Sequence, residues 1–222
     1  MLVKNRMAAD PVAVSPGDSL ARALQLTREH RIRHLPVVEG GELVGILSDR
    51  DIRLAMPSPL AVADPDRAAF LERTTVAEMM TRDVITAGPN DTVEDAAREL
   101  CRHRIGALPV VDAHGRLLGM VSETDVLQAF AEILSAGGPS SRLEVSLPDQ
   151  PGQLSRALRI VGEDLGLNIT SLMVLPTGAE GRKTAIVHVA TIDPREAIEA
   201  LEAAGAVVGW PSLEADLRKG GM

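Results

Sequence analysis

The chain repeats itself. Laid against its own copy, "MAADPVAVSPGDSL" from Met7 falls on "MTRDVITAGPNDTV" from Met80, a shift of 73 residues, and "HRIRHLPVVE" falls on "HRIGALPVVD". One extra residue in the next turn then brings "GILSDRDI", Gly45 to Ile52, onto "GMVSETDV", Gly119 to Val126. A repeat of this length outranks any local pattern, because each copy is one supersecondary unit that cannot bury its apolar surface alone.

Each copy reads as β-α-β-β-α. A short extended piece, Pro11 to Val14 or Val84 to Ala87, leads to a helix opened by Asp18 or by Asp91, the latter with Glu94 as capping partner. Val93, Ala96, Ala97 and Leu100 share one helical face. "LPVV" and "LVGIL" or "LLGMV", joined by "EGGE" and "DAHGR", predict a hairpin of buried strands. A second helix starts at Ser-x-x-Asp. So small a sheet leaves its helices uncovered, so the copies are expected to pack about a pseudo-two-fold axis and to line a central cleft symmetrically. They take residues 1–55 and 74–135, joined by a linker, 56–73, with three prolines and a helical end.

After a Gly- and Ser-rich joint, 136–141, the text changes. Over 142–215 it reads as strand "RLEVSL", a helix with Leu154, Ala157, Leu158, Val161 and Leu165 on one face, and strands "NITSLMVL" and "TAIVHVA" around the turn "PTGAEGRK". A helix, "PREAIEALEAAG", and a strand, "AVVGW", complete it. This βαββαβ order predicts a ferredoxin-like domain, and the whole chain an α/β (α+β) protein.

Composition narrows the function. With 45% apolar and 24% charged residues the chain is expected to fold. No apolar run approaches the roughly 18 residues of a membrane span, and "MLVKNRM" lacks the core of a secretory signal, so a cytoplasmic protein without a membrane partner is expected. A net charge of -8, with one Trp, two Phe and no Tyr, argues against nucleic acid as a partner. The lone Cys101 reads as a packed core thiol. His30, His34, Cys101, His103, His114 and His188 show neither Cys-x-x-Cys nor His-x-x-x-His spacing, so no metal site is expected. His188 reads as an ordinary strand residue. No Gly-x-Ser-x-Gly, phosphate-binding or dinucleotide motif appears, so no catalytic residue or catalytic cofactor is assigned.

The doubled phrases Ser48-x-x-Asp51 and Ser122-x-x-Asp125 carry two readings. Taken singly, a Ser followed three residues later by an acid is more often a helix cap than a site. Taken as a site, the free N–H groups of a strand-to-helix turn, the helix dipole and the Ser hydroxyl would face a phosphate, and the Asp would accept from ribose hydroxyls. Arg33 and His34 would add cationic help in the first copy, where the second has Gly106 and Ala107. A helix C-terminus, worth roughly 0.3 to 1 kcal/mol to a cation, accounts for Arg28, His30 and Arg31 better than for Arg33 and His34.

On these residues the repeat resembles a tandem of CBS domains, a Bateman module, whose signature is the hydrophobic-hydrophobic-Ser/Thr-x-x-Asp phrase with the "LPVV" strand. The resemblance implies a regulatory protein binding an adenosine nucleotide, AMP, ADP or ATP, or S-adenosylmethionine, in the cleft. Ser48, Arg33 and His34 would meet phosphate, Asp51 the ribose, and Ile85, Thr86, Gly106 and Ala107 the base. A weaker mirror site would use Val12, Ala13, Ser122 and Asp125, without the basic pair. Residues 142–211 resemble an ACT domain through "LPDQPGQLSRAL" and "GLNITSL", which implies an amino acid near Asp149, Gly152, Asn168 and Ile169. The combination resembles acetoin-utilisation AcuB-type proteins and implies a homodimer acting on a metabolic enzyme. Two alternatives stand beside the sensor: a ligand-independent dimerisation scaffold and a small hydrolase of the bound nucleotide.

Overall fold

The computed structural model describes residues 1–56, 64–134, 139–176 and 181–211. Much of the linker and joint, the tip of "PTGAEGRK" and the end of the expected last domain lie outside the described residues. The chain divides into two compact units, Met1–Phe130 and Ala131–Met222.

The first unit opens with a 3-10 turn, Val3–Asn5, and a two-residue strand β1, Ala8–Ala9. Helix α1, Leu20–Glu29, the hairpin β2, His34–Glu39, with β3, Glu42–Ser48, and helix α2, Asp49–Ala55, complete the first copy. Helix α3, Asp64–Arg73, supplies the helical end expected of the linker. The second copy holds α4, Val76–Met79, α5, Val93–His103, the hairpin β4, Ala107–Val111, with β5, Leu117–Ser122, and α6, Glu123–Leu134. Both hairpins are antiparallel and carry a bulge after the first valine of the Val-Val pair. The turn at Gly40 and Gly41 needs positive φ, +62° and +92°, which glycine adopts without steric cost.

The copies exchange their leading segments, which the β-α-β-β-α reading missed. β1 pairs with β5 of the second copy, while Thr81 exchanges two 2.9 Å hydrogen bonds with Ile46 of the first. Val3 is accordingly buried in the second copy's core with Val93, Leu100, Leu108 and Val121, and Val76 in the first copy's with Leu20, Leu35, Leu47 and Ile52. Each buried valine is worth about 1.5–3 kcal/mol. Gly45 and Gly119 make room for the exchange. A Cβ on Gly119 would lie 2.8 Å from the Ala8 carbonyl oxygen, and one on Gly45 would lie 2.5 Å from the Met80 sulfur.

Four local readings need correcting. Ser19 and Thr92, one residue later than expected, cap α1 and α5; Asp18 and Asp91 instead accept from the Ser15 and Gly88 amides, each at 2.7 Å. The box partner of Thr92 is Asp95, not Glu94. The pieces before these helices pair only through single parallel bridges, Val14 to Val37 and Ala87 to Val110. Cys101 is exposed, because α5 buries Val93, Ala96 and Leu100 and turns the next position outward.

The second unit contains β6, Ser141–Pro148, α7, Gln153–Arg159, continued by a π-helical turn, Ile160–Asp164, and then β7, Ile169–Val174, and β8, Arg182–Val189. Helix α8, Arg195–Ala203, and β9, Val207–Trp210, follow. The sheet order β7-β8-β6-β9 is the expected ferredoxin-like arrangement. Leu143, Val145, Leu147, Ala185, Val187 and Val189 alternate onto the face that packs on Ala157, Val161, Ile198 and Leu201. His188 points to the opposite face, half-buried, with Nδ1 2.7 Å from the Ser171 hydroxyl.

Candidate functional site

Between the two copies lies a cavity of about 850 Å³. From the sequence-derived set, Arg33, His34, Ser48, Asp51, Ile85, Gly106 and Ala107 line it; Thr86 does not. A smaller cavity of about 450 Å³ is lined by Val12 and Ser122, but neither Ala13 nor Asp125 reaches it. Ala13 and Thr86 hold equivalent places in the repeat, and both fall away because an extended segment turns alternate side chains to opposite sides.

The Ser-x-x-Asp phrases are helix caps. The Ser48 amide donates to Asp51 Oδ2 at 3.0 Å, the Ser48 hydroxyl donates to the same oxygen at 2.6 Å, and the Asp51 amide donates to Ser48 Oγ at 3.1 Å. Ser122 and Asp125 repeat the pattern at 2.8, 2.6 and 3.4 Å. The Asp49 amide is also spent, on the Arg33 carbonyl at 2.9 Å, as is that of Glu123 on the Gly106 carbonyl. The Ser48 hydroxyl and the Ser48, Asp49 and Asp51 amides, read from the sequence as phosphate donors, are thus already engaged within the protein, although Ser48 lines the larger cavity. The seven-residue α2 also opens with Asp49 and Asp51, which offset its dipole.

The cationic capacity of the larger cavity comes from arginines. Arg33, Arg50 and Arg104 line it, and none makes a side-chain hydrogen bond or ion pair among the described residues. A fourth, Arg53, is tied to Asp49 one helical turn back. Arg104 sits in the left-handed region at φ +54°, as does its repeat equivalent Arg31 on the smaller cavity. A left-handed non-glycine residue costs roughly 1–2 kcal/mol, so a guanidinium is kept at each cavity where glycine would be the ordinary helix stop. Half-buried Ile46, Val84, Ile85 and Ile105 supply apolar wall. Asp51 keeps Oδ1 without a partner among the described residues.

Arg33 and His34 line both cavities. The expectation that the smaller one lacks the basic pair is thus corrected, and Arg31 joins them there. The imidazole of His34 fills the space that Gly106 leaves, for a Cβ there would meet its Cε1 at 2.9 Å. Burial holds His34 below its ordinary pKa, and Arg33 adds to the shift, against the opposing pull of Asp49, Asp51 and Glu123. Sequence reasoning missed Arg50 and Arg104, although the pairing of Arg31 with Arg104 was visible in the repeat.

In the second unit the four predicted residues do not meet. Asp149, ion-paired to Lys183 at 3.2 Å, and Gly152, at φ +87°, lie at the Arg182 end of β8. Asn168 and Ile169 lie at its Val189 end, beside Ala190. The strand separates the two pairs by roughly 20 Å. The cavities under the helices, about 10 Å³ each, are too small for an amino acid.

The CBS domain pattern matches residues 3–58 and 76–132, and the ACT domain pattern matches 141–206. The chain belongs to the CBS-domain family. Its CBS pair is followed by an ACT domain. A CBS domain-containing protein of Dictyostelium discoideum is 35% identical over 64% of this chain and 99% of its own. An inosine-5'-monophosphate dehydrogenase of Korarchaeum cryptofilum is 36% identical over 67% of this chain, but this chain spans only 28% of that enzyme. Among solved structures, the CBS pair of protein MJ0100 in complex with 5-methylthioadenosine and S-adenosyl-L-methionine is similar at 32% identity and TM-score 0.50, over 59% of this chain and 96% of that one. CBSX2 in complex with AMP aligns at 28% identity and TM-score 0.51, over 60% and 97%. A putative acetoin utilization protein (AcuB) of Vibrio cholerae aligns at 26% identity and TM-score 0.51, over 61% and 93%. CBS-pair relatives of this chain thus bind adenosine ligands. Among the described residues, no helix is long and apolar enough to cross a membrane.

Proposed function

We propose that this protein is a regulatory sensor in which the larger CBS cavity takes an adenosine nucleotide. The observation that carries this reading is the 850 Å³ cavity with three side-chain-unpartnered arginines at an apolar wall. Arg33, Arg50 and Arg104 hold the phosphates as charge-assisted donors. Asp51, through Oδ1, accepts from the ribose, and Ile85, Gly106 and Ala107 flank the base. The unpaired positive charge favours AMP, ADP or ATP over the cationic sulfonium of S-adenosylmethionine. The smaller cavity is the second, weaker site.

The CBS copies, taken as residues 1–55 and 74–135, act as one sensing unit, and residues 142–215 as the responding one. Nucleotide binding favours one arrangement of the copies, by no more than its differential affinity for the two. The change passes through the ACT domain or a cytoplasmic homodimer to a metabolic enzyme, and the AcuB neighbour supports acetoin utilisation as the setting. An amino acid at the ACT domain would need a second copy of the chain, since Asp149 and Asn168 lie at opposite ends of one strand. Calorimetric titration of the full chain with AMP, ATP and S-adenosylmethionine tests the reading. We expect binding with AMP or ATP tighter than with S-adenosylmethionine; silence from all three overturns the sensor in favour of the scaffold.

A further inference from the structure

Where the copies meet, the repeat is asymmetric in a way that touches both cavities. The position equivalent to Arg33 is Gly106, which has no side chain, and the His34 imidazole occupies the space beside it. At this position only the first copy therefore furnishes a cation, and it serves both cavities, while the second copy makes room. Arg33 is exposed, its guanidinium has no partner among the described residues, and it lines the cavity on either side. The larger cavity has Arg50 and Arg104 besides; the smaller has only Arg31 as a further arginine.

We infer that the two cavities compete for Arg33, so that a phosphorylated nucleoside in the larger one weakens binding of a second in the smaller. This rests on the nucleotide reading above. A guanidinium forks onto one phosphate in a fixed plane, and turning it into one cavity withdraws it from the other. The loss falls harder on the smaller cavity, which is left with Arg31 alone, while the larger keeps two arginines. By linkage the antagonism is reciprocal, and coupling between sites commonly spans 5- to 150-fold. His34, fixed against Gly106, forms the rest of the shared wall and keeps the two ligands' negative charges close.

The test is a calorimetric titration of the full chain with AMP. In the wild-type protein two unequal steps are expected, and Arg31→Glu, which touches only the smaller cavity, removes the weaker one. Arg50→Glu with Arg104→Glu closes the larger cavity; both positions are exposed, and far-UV circular dichroism checks that the fold persists. The remaining cavity should then bind AMP about tenfold or more tightly than in the second wild-type step. In an Arg33→Ala background that gain should vanish. An affinity of the smaller cavity that is the same whether the larger is filled or closed overturns the coupling and leaves the sensor reading intact. So does a closed variant that binds no AMP at all. Absence of AMP binding in the wild-type protein overturns both.

Discussion

Asp51 does two jobs that can be separated, because the cap spends only one of its two carboxylate oxygens. Oδ2 accepts from the Ser48 amide and hydroxyl at 3.0 and 2.6 Å, whereas Oδ1 is left for the cavity. Ser48→Ala removes the hydroxyl at both ends of the cap. It should lower stability by about 0.5–2 kcal/mol, the usual cost of losing a capping side chain, while AMP affinity stays within about threefold, because Oδ1 is untouched. Asp51→Ala should cost comparable stability and also about 1.5–3 kcal/mol of binding, the value of a hydrogen bond to a charged group. That is a loss of roughly 10- to 150-fold. Urea unfolding followed by circular dichroism, with and without AMP, reads both quantities, since a ligand at 100 times its Kd adds about 2.7 kcal/mol to the folded state. If Ser48→Ala weakens AMP as much as Asp51→Ala does, the carboxylate acts only by shaping the turn, and its contact with the sugar is wrong.

The exchanged segments and the half-buried imidazole of His34 give two more. Gly119→Ala should destabilise the first unit by about 1–3 kcal/mol, the range for overpacking, because its Cβ would meet the Ala8 carbonyl. Gly17→Ala, with nothing within 4 Å of the new methyl, should stay within about 0.5 kcal/mol. Native-state hydrogen exchange should show the Val3 and Met7 amides, which bond Asp91 and Val3 carbonyls, losing protection in Gly119→Ala alone. His34 is held below its ordinary value by burial and Arg33, so the unfolded chain takes up its proton first as the pH falls. Its contribution to stability is therefore complete above about 6.5 and declines from there down to the lowered folded value. His34→Gln should flatten that part of a stability-against-pH curve, and an unchanged slope would refute the assignment.

The sequence by itself determined the architecture of each unit, because apolar period and turn chemistry act over a few neighbouring residues. The doubled "LPVV" hairpin, the paired Ser-x-x-Asp helix starts and the βαββαβ order were all legible for that reason. The tertiary structure alone decided where the leading segments go. Nothing local to Val3 or Val76 says which copy's core each fills, and the answer depends on Gly119 and Gly45 admitting a backbone from the other copy. It also decided which donors stay free. Ser48 and its neighbouring amides look available in one dimension, yet a cap and the Arg33 carbonyl consume them, and the positive charge of the cleft comes instead from Arg33, Arg50 and Arg104, converging from separate elements. Hydrogen bonds saturate pairwise, and charge acts across space rather than along the chain, so both had to await the folded arrangement.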